Sequence, residues 1–175
     1  SSGDTLVIDP GVEVLFMGNY QFSVDGRLQA NGTQQDSIRF SSGMPLKSPG
    51  DWNKINFNNS SDSSYLNYTI VEYGGNNDNG DDEDSGIVLN DGANNIIINQ
   101  STLRHTGGSG IYVGGGNNLT LSGCDIYNNM DHGIYTNSSA NDYLIAGNDI
   151  QSIHNEIKNY GKLYFTDDYF KTGKK

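Results

Sequence analysis

Apolar residues recur along this chain in short alternating runs, broken by clusters of Gly, Asn, Asp and Ser. Alternation with a period of two marks strands that bury one face. No segment carries an apolar stripe at the 3.6-residue spacing of a helix. The runs themselves repeat. Segments 85–108, 109–131 and 132–155 each carry a Gly-Ile pair at their second and third positions, at Gly86-Ile87, Gly110-Ile111 and Gly133-Ile134, which lie 24 and 23 residues apart. Three apolar columns stay in register across these copies: Ile87, Ile111 and Ile134; Ile98, Leu121 and Ile145; Leu103, Ile126 and Ile150. An upstream copy, DWNKINFNNSSDSSYLNYTIVEYGG, places Ile55, Leu66 and Val71 in the same columns. Turn signals such as Asp91-Gly92 and Gly114-Gly115-Gly116 separate the runs. Three strands per period, with the same columns apolar each time, predict coils that stack, each strand pairing with its counterpart ~4.8 Å away. The predicted class is therefore all-β, a single-stranded parallel β-helix of about seven coils of roughly 22–25 residues.

Residues 51–155 resemble the right-handed parallel β-helix repeats of pectate-lyase-like proteins, notably secreted bacterial and archaeal surface proteins. The segment before them is similar to the opening coils of the same proteins. There a PGV turn and a DGxLxAxGT segment precede a GxWxxIxF coil; here these are Pro10-Gly11-Val12, Asp25 to Thr33, and Asp51-Trp52 to Phe57. The resemblance implies a right-handed coil over nearly the whole chain. It implies little about activity, because the fold hosts lyases, hydrolases, esterases, adhesins and inactive modules.

The organisation expected is one domain over residues 1–175. Residues 1–50 form N-terminal coils and a loop, 51–155 the regular repeats with an acidic insertion at 76–84, and 156–175 a C-terminal coil or cap. A terminal coil exposes unpaired backbone groups and needs a cover; Tyr160, Leu163, Phe165 and Phe170 are the candidates. The N-terminal end offers no amphipathic helix, so a neighbouring domain or subunit is expected there, and end-to-end self-association with it. The chain starts directly in Ser1-Ser2-Gly3-Asp4 without a signal peptide, and reads as a mature or excised segment of a longer protein.

A net charge of −11 and a pI near 4.3 argue against nucleic acid and against an anionic membrane surface, both of which need a basic face. No apolar run approaches the ~18–20 residues of a membrane helix. With the family resemblance, the 23 glycines and an equally heavy use of Asn favour an extracellular or cell-surface location. The single cysteine, Cys124, falls in an inward column with Thr69, Ser101 and Asn148, and reads as a structural thiol rather than a nucleophile.

Outward positions decide whether there is chemistry. Val88, Tyr112 and Tyr135 share one outward column, with Asn90, Gly114 and Asn137 in the next. Tyr112, Tyr135 and Asn137 are candidate sugar-binding residues, by ring stacking and amide hydrogen bonds; the alternative is cross-strand packing on an exposed sheet. Asp125 and Asp149 share a column, at the ~5 Å separation two catalytic carboxylates require, and are the weak candidates for catalysis. Glu72 and Arg104 read as a surface pair worth ~0–1 kcal/mol. His105, His132 and His154 fall in different columns and form no metal site or triad. The longest break in the repeat holds Asp78, Asp81, Asp82, Glu83 and Asp84, five carboxylates in seven residues. It reads first as a solvated acidic loop and second as a Ca²⁺ site; no other cofactor is implied. The expected function is a non-catalytic structural, adhesive or carbohydrate-contacting module of a larger surface or filament protein. The alternative is a polysaccharide lyase or glycoside hydrolase acting on an acidic polysaccharide.

Overall fold

The computed structural model describes residues 3–58, 63–76, 84–114, 118–137, 143–146, 148–152, 157–158, 163–166 and 169–170. For 143–146 and for the strands beyond 150, the backbone alone is described. Every regular element among them is a strand. The strands run β1 (Thr5–Ile8), β2 (Glu13–Phe16) and β3 (Phe22–Val24), then β4 (Arg27–Asn31), β5 (Ile38–Ser42) and β6 (Ile55–Phe57). Next come β7 (Ser64–Asn67), β8 (Thr69–Glu72) and β9 (Ser85–Leu89), followed by β10 (Ile96–Asn99), β11 (Thr102–Arg104) and β12 (Ser109–Val113). The remaining elements are β13 (Leu119–Ser122), β14 (Asp125–Asn129), β15 (Ile134–Thr136), β16 (Tyr143–Ala146), β17 (Asp149–Ser152), β18 (Ile157–Lys158), β19 (Leu163–Thr166) and β20 (Tyr169–Phe170).

Each strand pairs in parallel with the strand three places on. The result is three sheets: β1-β4-β7-β10-β13-β16-β19, β2-β5-β8-β11-β14-β17-β20, and β3-β6-β9-β12-β15-β18. This is the stacked coil the repeat predicts. The register follows the sequence columns residue for residue. Leu66, Ile98, Leu121 and Ile145 are partners in the first sheet. Val71, Leu103, Ile126 and Ile150 line up in the second, and Ile55, Ile87, Ile111 and Ile134 in the third. All the described members of these columns are buried to within 1%. Burying each such side chain is worth ~1.5–3 kcal/mol, and a slip by one residue would turn a whole column out to solvent.

Two features of the coil explain residues that pattern alone does not. The corner between the first and second sheets is a single residue in the left-handed region: Tyr68 (φ 47°), Gln100 (φ 48°) and Gly123 (φ 60°). Only the last is a residue suited to that conformation. Tyr68 and Gln100 are held there by the ladders that resume on either side, through Tyr68 N to Asn99 O at 3.1 Å and Gln100 N to Ser122 O at 2.9 Å. The glycines of the Gly-Ile repeat serve a different need. A Cβ on Gly110 would sit 2.6 Å from the Gly133 carbonyl oxygen, so the repeat requires Gly for close approach of neighbouring coils.

The segment after residue 156 does more than cover the stack. Leu163, Tyr164 and Phe165 pair with Tyr143, Leu144 and Ile145, and Phe170 pairs with Ile150. The columns thus continue into a region whose sequence breaks the repeat. Tyr160 lies outside the described residues.

Candidate functional site

Outside the second sheet, a clasp of charges spans four coils. Arg39 and Arg104 both reach Glu72, at 2.5 Å and 2.7 Å. The Ser41 hydroxyl donates to the same carboxylate at 3.0 Å, and Arg104 extends the chain by donating to the Tyr127 hydroxyl at 2.9 Å. Trp52, fully buried, donates its indole N–H to the Glu72 carbonyl oxygen at 2.9 Å. Glu72 itself is 2% exposed, so the surface pair expected from the sequence is corrected. The sequence showed the Arg104 column but not the diagonal approach of Arg39. Burial pushes the Glu72 carboxyl upward; the bonds from Arg104, Arg39 and Ser41 outweigh it and hold the group below its ordinary value.

Outside the third sheet, Val88, Tyr112 and Tyr135 stand in register and form a cluster separate from the interior core. The two tyrosine rings stack at 5.4 Å and 10°, and the His132 ring stacks on Tyr135 at 5.6 Å. This column faces outward as predicted, but it is not an exposed platform: both tyrosines are 7% exposed. Ring faces already covered by Val88, His132 and each other are closed to a sugar. The stacking role expected for Tyr112 and Tyr135 is therefore withdrawn; the Tyr112 hydroxyl remains, accepting from Asn137 Nδ2 at 3.3 Å.

One position beyond the third sheet runs a polar ladder: Asp25, Asn58, Asn90, Gly114 and Asn137. Its backbone spacing is kept by Asn58 N to Val24 O (3.0 Å), Asn90 N to Phe57 O (3.0 Å), Gly114 N to Leu89 O (2.7 Å) and Asn137 N to Val113 O (3.1 Å). The amides bond along it, Asn58 to Asp25 at 2.6 Å and Asn90 to Asn58 at 2.9 Å. At Gly114 the ladder has no side chain. Asn90, Asp91, Tyr112, Gly114 and Asn137 line a polar hollow of about 330 Å³ at that gap.

Asp125 and Asp149 are strand neighbours, as the columns predict, with Thr102 preceding them. Asp125 is exposed and Asp149 half-buried. His105 packs against Tyr73 at 5.4 Å, and His154 lies outside the described residues. Cys124 is fully buried, and burial pushes its thiol up to about 12. Its sulfur approaches the Ile98 and Ser122 carbonyl oxygens at 3.5 and 3.4 Å, and its N–H donates to Asn148 Oδ1 at 2.8 Å. A thiol protonated at neutral pH is a structural group.

Of the acidic insertion, Asp78, Asp81, Asp82 and Glu83 lie outside the described residues. Asp84 is not a solvated acid: it is 6% exposed, and its carbonyl oxygen accepts from Ser109 N at 3.0 Å. Among the described residues no group of three or more His, Cys, Asp or Glu is placed to hold a metal ion. No helix among them is long and apolar enough to cross a membrane.

Residues 51–150, more than half of the chain, match the family model described as a right handed beta helix region. No curated protein and no solved structure matches the chain.

Proposed function

The chain belongs to the right-handed β-helix family, and on that premise we propose that it is a non-catalytic extracellular module, structural, adhesive or carbohydrate-contacting, within a larger surface or filament protein. One observation carries the reading. Outward side chains with the chemistry to react are committed to their neighbours: Glu72 to two arginines and a serine, Asn58 to Asp25, Tyr112 to Tyr135 and Asn137. Groups so engaged stiffen a rod instead of turning over a substrate. A rod whose sheets end in edge strands also favours stacking against a neighbouring domain or a second copy.

The competing reading, a lyase or hydrolase of acidic polysaccharides, draws on the side-by-side Asp125 and Asp149. Incubation with pectins, alginates and neutral glucans, with and without calcium, separates the two. No product release is expected. Release that disappears in Asp125→Asn or Asp149→Asn would overturn the non-catalytic reading.

A further inference from the structure

We propose that the rod joins end to end with a second copy of this chain, the C-terminal coil of one copy docking on the N-terminal coil of the next. This rests on the structural-module reading above and names the partner, the ends and the register. Among the described residues the outermost strands are β1, β2 and β3 at one end and β19, β20 and β18 at the other. Each of these edges is a template for one more parallel strand. The columns match across the joint. Ile8 leads a column that ends on Phe165. Val14 leads one that ends on Phe170, and Phe22 one that ends on Ile157. Extending the register by one coil therefore sets apolar positions against apolar positions in all three sheets at once. The receiving end is open to such a coil: Leu6 is 50% exposed, and Val14 and Phe22 are half-buried. Between β1 and β3 lies a hollow of about 240 Å³, walled by Leu6, Phe22, Val24 and Leu28 among others. A coil laid on this end covers those side chains, as each interior coil covers its neighbour.

Charge selects the partner and its orientation. Residues 1–26 carry four acids, Asp4, Asp9, Glu13 and Asp25, and no Lys or Arg. Residues 156–175 carry five of the chain's ten Lys and Arg against three acids. The two ends are thus of opposite sign in a chain whose net charge is −11. Head-to-head contact sets two acidic ends together, and like charges facing each other are costly. Head-to-tail contact sets the acidic end on the basic one. A second copy also brings the same three-sided cross-section, so no strand is left without a counterpart. Such a contact uses two different surfaces and does not close on itself, which makes the product a filament rather than a dimer.

Sedimentation of the full chain from about 10 µM to about 1 mM covers the strength expected of three short strand pairs. The mass is expected to rise with concentration, through dimers to longer oligomers. Leu6→Asp, at a half-exposed position of the first coil, is expected to keep the fold and hold the chain monomeric. Leu46→Asp, in the loop after β5 where the side chain is 88% exposed, is expected to leave association unchanged. A second measurement reads the register, and it decides the question even where Leu6→Asp unsettles the first coil. The column of Lys158 runs through Tyr135, Tyr112, Val88 and Asn56 to Ser23. The joint therefore sets Lys158 of one copy opposite Ser23 of the next, at the ~5 Å spacing a disulfide spans. Mixing Ser23→Cys and Lys158→Cys chains under mild oxidation is expected to give the mixed disulfide about tenfold faster than either chain cross-links alone; the native Cys124 is buried and does not compete. Three results would each overturn the joint: a monomer at every concentration, association that survives Leu6→Asp or is lost in Leu46→Asp, or a mixed disulfide that forms no faster than the one from Ser23→Cys alone. Product release from a polysaccharide would sink the non-catalytic reading instead, while mass and cross-linking alone decide the fate of the joint.

Discussion

Leu6 and Leu28 are partners in one column of the first sheet, on adjacent coils. Leu6 is 50% exposed and Leu28 fully buried. The same contrast recurs in the other sheets: Val14 and Phe22 are half-buried, while their partners Phe40 and Ile55 are buried completely. Periodicity decides which way a side chain points. Whether it is buried depends on a coil lying on each side, because a stacked repeat supplies its core through its neighbours. Interior coils are therefore core twice over, and the first coil is core once.

The largest expected effects test that difference directly. Leu121→Asp leaves an unpaired charge inside the stack and is expected to cost well over ~3 kcal/mol. Cooperative melting of that variant at the wild-type temperature would show the register to be wrong. Within the Leu6 and Leu28 column, Leu28→Ala is expected to lose about 2–5 kcal/mol, and Leu6→Ala no more than about half of that, in proportion to the area it buries. Equal losses by chemical denaturation would mean that Leu6 is covered in solution, as by an abutting coil or a second copy.

Much of this contrast was legible before any coordinates. The columns Leu66–Ile98–Leu121 and Ile87–Ile111–Ile134 are simple alternations repeated at a fixed period, and burial follows from them. The left-handed corner residues were hidden, because Tyr68 and Gln100 carry none of the turn chemistry that Gly or Asn would advertise. Their conformation is imposed by ladder bonds to residues 31 and 22 positions away in sequence, Asn99 and Ser122. Depth outside the sheets was hidden for a related reason. Alternation shows that Tyr112, Tyr135 and Glu72 point outward, but whether an outward residue is covered depends on what packs over the sheet. The gap at Gly114 sat in plain view in the Asn90–Gly114–Asn137 column, whereas the hollow beside it depends on how the neighbouring side chains pack.

A second, smaller contrast sits on the outer face. Arg39 pairs with two carboxylates: Glu13, whose side chain is 58% exposed at 3.4 Å, and Glu72, 2% exposed at 2.5 Å. Glu72→Ala removes the carboxylate that two guanidinium groups share, leaving Arg39 its longer contact with Glu13 and Arg104 its bond to the Tyr127 hydroxyl. It is expected to cost about 3 kcal/mol, the lower end for a broken buried pair, because both arginine side chains remain about 30% exposed. Glu13→Ala is expected to cost under ~1 kcal/mol. The two should also separate in acid. Glu72 has a folded-state value below its ordinary 4.5, so its contribution is fully present above about pH 4.5. It is lost as the pH falls through the depressed folded value. Urea melts between pH 7 and pH 3 should show a steeper acid loss in the parent chain than in Glu72→Gln; parallel curves would remove Glu72 from the acid response.

The smallest effect is expected at the acidic insertion between Asn76 and Asp84. Both ends of that insertion are anchored: Asn76 Nδ2 donates to Gly50 O at 3.1 Å, and the Asp84 carbonyl oxygen accepts from Ser109 N. With both flanks anchored, deleting residues 77–83 should leave the melting temperature within a degree or two of the parent. Calcium decides what the acids do. A cation gathered by Asp78, Asp81, Asp82 and Glu83 must bind the folded chain better than the unfolded one, which adds ~2.7 kcal/mol at a hundredfold excess over the dissociation constant. Asp84, drawn into the structure beside Ser109, leaves four of the five acids to hold the ion, with neutralisation the main gain. The expected outcome is the same melting curve in millimolar calcium and in chelator, with the carboxylates spread in solvent. A calcium-dependent rise that vanishes on deleting 77–83 would reverse that reading and make the insertion the module's metal site.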